Sequence, residues 1–179
     1  IRTALADRMN KKPSPRLTIP KTWDIPDAFH KAVGKVAGRQ KMEHLEGHIL
    51  LVLHQLPELG DDGKRKRSFF WRNLDGEWKS SLYGPGISAL EQHVELYGKA
   101  VEKLDHQLDT SEDAGDYLKV LRVATPLHRA SRNLLLVLED LRDALPDDLE
   151  VLHLRDRSQG FERSTEFIAS DARHGMDFC

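Results

Sequence analysis

The run VLRVATPLHRASRNLLLVLEDLRDAL, residues 120–145, places Val120, Ala124, Leu127, Ser131, Leu134, Leu138, Leu141 and Leu145 at alternating steps of four and three. A 3.5-residue period keeps one stripe facing a partner along a whole helix, which is the pattern of a bundle or coiled coil. The seam keeps phase through Pro126, so the spacing predicts one long helix over Asp113 to Leu145, kinked where the ring removes a hydrogen bond. The alternative is a break at that point with Thr125 as the cap. Upstream, Leu90, Val94, Tyr97, Val101, Leu104 and Leu108 form a second seam, predicting a helix from about Ile87 to Leu108 with Ser88 and Glu91 as a capping box. Downstream, Pro146-Asp147-Asp148 starts a third helix. Its stripe of Leu154, Ser158, Phe161, Thr165, Ile168, Ala172 and Gly175 is smaller and more polar, which suits close helix contacts or wet interfaces.

Gly84-Pro85-Gly86 interrupts any regular element and marks the boundary between this helical half and a mixed region before it. In that region, Gly47 to Leu56 is short, apolar and bounded by turn residues, and is expected to be a buried strand. Ser68 to Asn73 is an aromatic-rich strand, and Asp75-Gly76 supplies a tight turn into a third strand, Glu77 to Ser80. A helix is expected from near Pro26 to near Gly38, with Asp24 accepting from its free amides. Leu17-Thr18-Ile19 is a candidate short strand after the proline-broken arm Lys11-Lys12-Pro13-Ser14-Pro15. The expected organisation is therefore α+β: a flexible arm over 1–22, a small α/β region with an antiparallel sheet over 23–86, and a three-helix bundle over 87–179.

Composition narrows function mainly by exclusion. Twenty-seven Lys and Arg against 29 Asp and Glu leave a net charge of −2, which offers no long-range attraction for nucleic acid or an anionic membrane. A 39% hydrophobic content supports an ordinary core. Cys179 is the only cysteine, which excludes an internal disulfide framework and fits a reducing compartment. The chain opens on Ile1 without a secretory signal, so a fragment of a longer protein is expected. Its longest apolar runs, Ile49 to Leu53 and Leu134 to Leu138, are far shorter than the roughly 20 residues of a membrane span, so the chain as given is expected to be soluble.

Chemistry-bearing residues are sparse. His44-Leu45-Glu46-Gly47-His48 is a poor match to a zinc-protease helix, because Glu46 is misplaced and Gly47 opposes a helix. His48 and His54 are expected at strand ends, hydrogen-bonded to backbone. Lys64-Arg65-Lys66-Arg67 is expected in a solvated loop beside Asp61-Asp62. Phe69, Phe70, Trp71 and Trp78 are expected to pack in a core, since alternation puts only Phe69 and Trp71 on one face. No glycine-rich phosphate loop and no Gly-x-Ser-x-Gly turn is present, so no enzyme is expected. Of the many acidic residues on the helical half, Asp171 and Asp177 are the candidates for a subunit-interface site for a hydrated divalent ion such as magnesium, which keeps most of its waters.

The order of these elements resembles the cytoplasmic part of the CorA-type magnesium transporters: the strand Gly47 to His54, then Phe69-Phe70-Trp71-Arg72, then paired helices that include Pro126 to Asn133, then the helix Leu154 to Asp177 in the place of the stem. The similarity is one of order and covers about Ile25 to Cys179. It implies a cytosolic regulatory and assembly domain at the inner face of a membrane, whose stem helix continues into the first membrane helix. It further implies five subunits around a pore, a Gly-Met-Asn motif at the pore mouth, and interface-bound divalent ions that favour the closed channel. The chain departs from that pattern in having neither a membrane segment nor Gly-Met-Asn, and in its smaller sheet. The competing expectation is an oligomeric helical adaptor with no transport role, assembling through the Leu90 and Val120 seams.

Overall fold

The computed structural model describes residues 18–34, 38–58 and 65–179. It places α1 at Asp27–Val33, then the strands β1 (Lys41–Leu45), β2 (His48–His54), β3 (Arg67–Arg72) and β4 (Trp78–Ser80), then the helices α2 (Ile87–Asp109), α3 (Ala114–Ala144) and α4 (Leu149–Phe178). The strands form one antiparallel sheet in the order β1-β2-β3-β4. The α+β class and the helical half are as the sequence predicts.

The central strand explains the layering. In β2, successive side chains point to opposite faces, and every residue from Ile49 to Leu53 is buried, so the sheet must be covered on both sides. On one face Ile49, Leu51 and Leu53 join Phe70 and pack with Leu90, Val94 and Tyr97 of α2 and with the core of α3. On the other, Leu50 and Val52 join Phe69 and Trp71 under Ile19, Ile25, Phe29 and Val33. The registers Leu51↔Phe70, Leu50↔Trp71 and Val52↔Phe69 sort the side chains this way. Phe69 and Trp71 thus share a face and are core residues, as expected.

Four local expectations are corrected. Thr18 and Ile19 form no strand, and Leu17, with most of the expected arm, lies outside the described residues; Ile19 is instead a buried plug beneath the sheet. Helix α1 ends at Val33 rather than near Gly38, because Gly34 adopts a left-handed φ of 64°. Its N-cap is Pro26 with no side-chain cap bond, so Asp24 does not cap it. At α2 the N-cap is Gly86, and Ser88 is already inside the first turn with its hydroxyl 3.5 Å from the Pro85 carbonyl, so no capping box forms.

One strand was not anticipated. In β1, Lys41 to Leu45 is half exposed and mostly polar, as an edge strand is, and so carries no strong alternation. Its two-residue connection to β2 has φ of 52° at Glu46 and 83° at Gly47, the paired positive values of a type I′ hairpin turn.

In the helical half, α3 and α4 make the most extensive pairing of the molecule and α2 packs against both. Asp113 Oδ1 accepts from the Asp116 amide at 2.9 Å, and Asp148 Oδ1 accepts from the Glu150 and Val151 amides at 3.1 and 3.2 Å. Helix α3 runs unbroken through Pro126, and Thr125 is not a cap: its hydroxyl donates to the Leu121 carbonyl 3.0 Å away within the same helix. All six residues of the Leu90 seam and seven of the eight in the Val120 seam are buried within this one chain. Those stripes are thereby used inside the fold, and an assembly of chains would meet through other surfaces.

The small residues of α4 decide how closely it approaches its neighbours. A Cβ on Gly175 would lie 2.5 Å from the Tyr117 ring of α3, and one on Gly98 of α2 would lie 2.9 Å from Phe161, whereas one on Gly160 would meet nothing. Gly160→Ala is therefore expected to stabilise the protein by up to about 1 kcal/mol through helix propensity alone. Gly175→Ala is expected to destabilise it despite the same propensity gain, and urea denaturation of the two variants beside the parent measures both signs. Asp148→Ala is expected to cost about 1 kcal/mol in the same measurement, with Asp148→Ser restoring most of it.

Candidate functional site

Asp171 and Asp177 lie in the last two turns of α4, Asp171 half-buried and Asp177 exposed. Six residues of α-helix rise about 9 Å and turn about 600°, so the two carboxylates leave the helix about 120° apart in azimuth. One ion cannot be gripped by both from a single chain. Among the described residues, no group of three or more His, Cys, Asp or Glu side chains is placed to hold a metal ion. The end of the bundle at which Asp171 and Asp177 sit also carries the α2–α3 connection with Glu112, Asp113 and Asp116, since α4 runs antiparallel to α3 and brings Gly175 onto Tyr117. Asp113 and Asp116 are engaged in local helix capping and in an ion pair with Lys119 at 3.1 Å.

The histidines are structural in different ways. His44 and His48 fall on the two arms of the β1–β2 hairpin, which rules out the zinc-protease helix. His48 is not tied to backbone: its Nδ1 accepts from the Trp71 indole N–H at 3.1 Å, and the two rings stack with centroids 5.9 Å apart. That bond requires the neutral ring with its proton on Nε2. His54, at the end of β2, is buried, and its backbone carbonyl accepts from the Tyr97 hydroxyl at 2.8 Å. Between α3 and α4, His128 Nδ1 lies 3.1 Å from Thr165 Oγ1, whose own hydroxyl lies 2.8 Å from the Phe161 carbonyl; Thr165 therefore accepts from a protonated Nδ1.

The basic run is corrected by the fold. Lys64 lies outside the described residues, Arg65 is exposed, and Lys66 pairs loosely with Glu58 at 3.6 Å. Arg67 is the opposite of solvated, with 2% of its surface exposed. Its Nη1 donates to the Val33 carbonyl at 3.1 Å and the Gly34 carbonyl at 3.3 Å, and the guanidinium lies 5.3 Å from the Phe69 ring centroid. A buried cation thus satisfies the free carbonyls at the end of α1, where the helix dipole is negative.

A second cluster escaped the sequence reading. His93 of α2 is fully buried against Phe70, Tyr83 and Tyr97, with ring centroids 5.3, 6.1 and 5.5 Å away. Its position was available from the spacing, since 90, 93 and 97 fall on one helical face.

No family model matches the chain, and no curated protein does. Among solved structures, the crystal structure of the ZntB cytoplasmic domain from Vibrio parahaemolyticus RIMD 2210633 superposes with a TM-score of 0.62, covering 86% of this chain and 77% of that one at 13% identity. The chain shares its fold with that domain. At that identity the likeness is one of architecture. Among the described residues, no helix is long and apolar enough to cross a membrane.

Arg67→Met is expected to remove about 2 kcal/mol of stability by leaving the α1 carbonyls without their donor. Hydrogen exchange should then accelerate first in Asp27–Val33, and equal acceleration across α3 and α4 would contradict the local role.

Proposed function

We propose that this chain is the cytosolic regulatory and assembly domain of a CorA-like divalent metal ion transporter, acting without catalytic chemistry of its own. The observation that carries the reading is the superposition on the ZntB cytoplasmic domain over 86% of the chain, which agrees with the order of elements that the sequence shares with the CorA-type proteins. In this reading α4 is the stem helix, and the sheet and the α2–α3 pair form the body that transmits the ion-bound state to it. The full protein would assemble around a pore as a five-fold ring at the cytosolic face of a membrane.

Regulation in this scheme falls to ions held between subunits. Asp171 and Asp177 point in different directions from one helix, which suits a shared ion that takes one carboxylate from each of two chains and keeps most of its waters, as magnesium does. Raising magnesium is expected to shift this domain toward the associated state in sedimentation velocity, and a chelator to reverse it. Asp171→Ala combined with Asp177→Ala should remove the magnesium dependence while leaving thermal stability unchanged; a retained dependence would eliminate these residues as ligands.

The transporter reading itself is tested by the native reading frame beyond the codon for Cys179. Two apolar stretches of about 20 residues, with Gly-Met-Asn after the first, are expected. A stop codon close by would leave the oligomeric helical adaptor in its place.

A further inference from the structure

The contact between the sheet and the bundle contains a pair of buried imidazoles whose charged neighbours are cations. His93 comes from α2, and His54 from the end of β2, with 1% and 4% of their surfaces exposed. Facing His93 are Phe70 of β3, Tyr97 one turn along α2, and Tyr83 from the segment before α2, whose hydroxyl lies 3.5 Å from His93 Nδ1. His54 sits opposite Arg67 in the β2–β3 register. The charged groups that act on it are Arg65 and Arg67, and the charge acting on His93 is that of His54 itself; no carboxylate figures among these. A proton added to either ring would therefore sit in a buried site beside groups of like charge, a cost that the backbone carbonyls of Gly38 at His54 and of His54 at His93 offset only in part.

We propose that this histidine pair makes the sheet–bundle contact an acid-opened joint, in which protonation of His93 and His54 separates β2 and β3 from the first half of α2 while the α3–α4 pairing stays closed. The selectivity follows from placement. Both rings lie at the sheet side of α2, and Tyr97 ties α2 to β2 by donating to the His54 carbonyl. The α3–α4 pairing is held mainly by Leu, Ala and small polar residues, among them Leu134, Leu138, Ser158 and Ala172, and the imidazole there, His128, faces the neutral Thr165 hydroxyl and no buried cation. This joint does not depend on the transporter reading; in a transporter it would couple acidity to the position of the stem.

The direction follows from linkage. Burial, reinforced by His54, pushes His93 down to about 4 from an ordinary 6.5, and burial lowers His54 as well. An exposed imidazole in the opened joint regains its ordinary affinity, so protons bind the open form preferentially. The closed contact is at full strength above about pH 6.5 and weakens as pH falls toward about 4, the opening equilibrium rising about tenfold per pH unit for His93 alone.

Hydrogen exchange of the whole chain at about pH 7.5 and about pH 5.5, corrected for intrinsic amide rates, tests the joint. Opening of β2, β3 and the segment 87–98 is expected to rise at least tenfold at the lower pH, with α3 and α4 unchanged. In His93→Phe, which keeps the aromatic packing and removes the titrating group, the rise should be about tenfold smaller. His93→Gln serves the same comparison if the bulkier ring does not fold. Equal acceleration in α3 and α4 would mean that acid simply unfolds the protein, and an undiminished rise in both variants would mean that other groups titrate. Either result overturns the proposal.

Discussion

Burying β2 on both faces is the constraint from which the rest of the molecule follows. Ile49 to Leu53 present apolar side chains up and down without interruption, and each buried aliphatic side chain contributes roughly 1.5–3 kcal/mol only if something covers it. A four-stranded antiparallel sheet often leaves one face wet. Here it cannot, so the chain must supply a second layer, and it does so economically with the seven residues of α1 and with Ile19, Ile25 and Trp23 around Trp71. Arg67 belongs to the same solution, because the carbonyl end of so short a helix has to be satisfied where water is excluded. The opposite face meets α2, whose Leu90, Val94 and Tyr97 are shared between the sheet and the other helices. The result is one continuous apolar cluster that runs from Ile49 through the bundle to Ala172.

Much of this could be foreseen from the sequence, for reasons that differ by element. The helical seams were legible because a stripe used along its whole length leaves a period in the chain. The caps were not legible in the same way: Asp24, Ser88 and Thr125 do not cap, while Asp113 and Asp148, read only as marking where helices begin, do. The strand β2 was legible because its burial on both sides produces an apolar run too short for a helix. The edge strand β1 was not, since Lys41, Glu43 and His44 answer to solvent and to the turn at Glu46-Gly47 instead of to a core. Arg67 was hidden by its neighbours: in a run of four basic residues, composition alone cannot show which one the register of β3 turns inward.

The site residues divide in the same way. The angular separation of Asp171 and Asp177 is a property of helical spacing alone, and it already decides that one chain cannot chelate one ion with both. The environment of His93 required tertiary contact, because Phe70, Tyr83 and His54 reach it from three other places in the sequence. A shared fold with the ZntB cytoplasmic domain at 13% identity fits this picture, since a fold is kept while most of the side chains on it differ.

The glycines of the bundle carry one more consequence. Tyr117 fills the space that a side chain at Gly175 would take, and Phe161 does the same at Gly98, so α4 is notched against α3 near one end and against α2 nearer its middle. A sliding motion along either neighbour would drive a rigid ring into backbone at one notch or the other. The two notches key α4 to its neighbours and fix its register along the bundle axis.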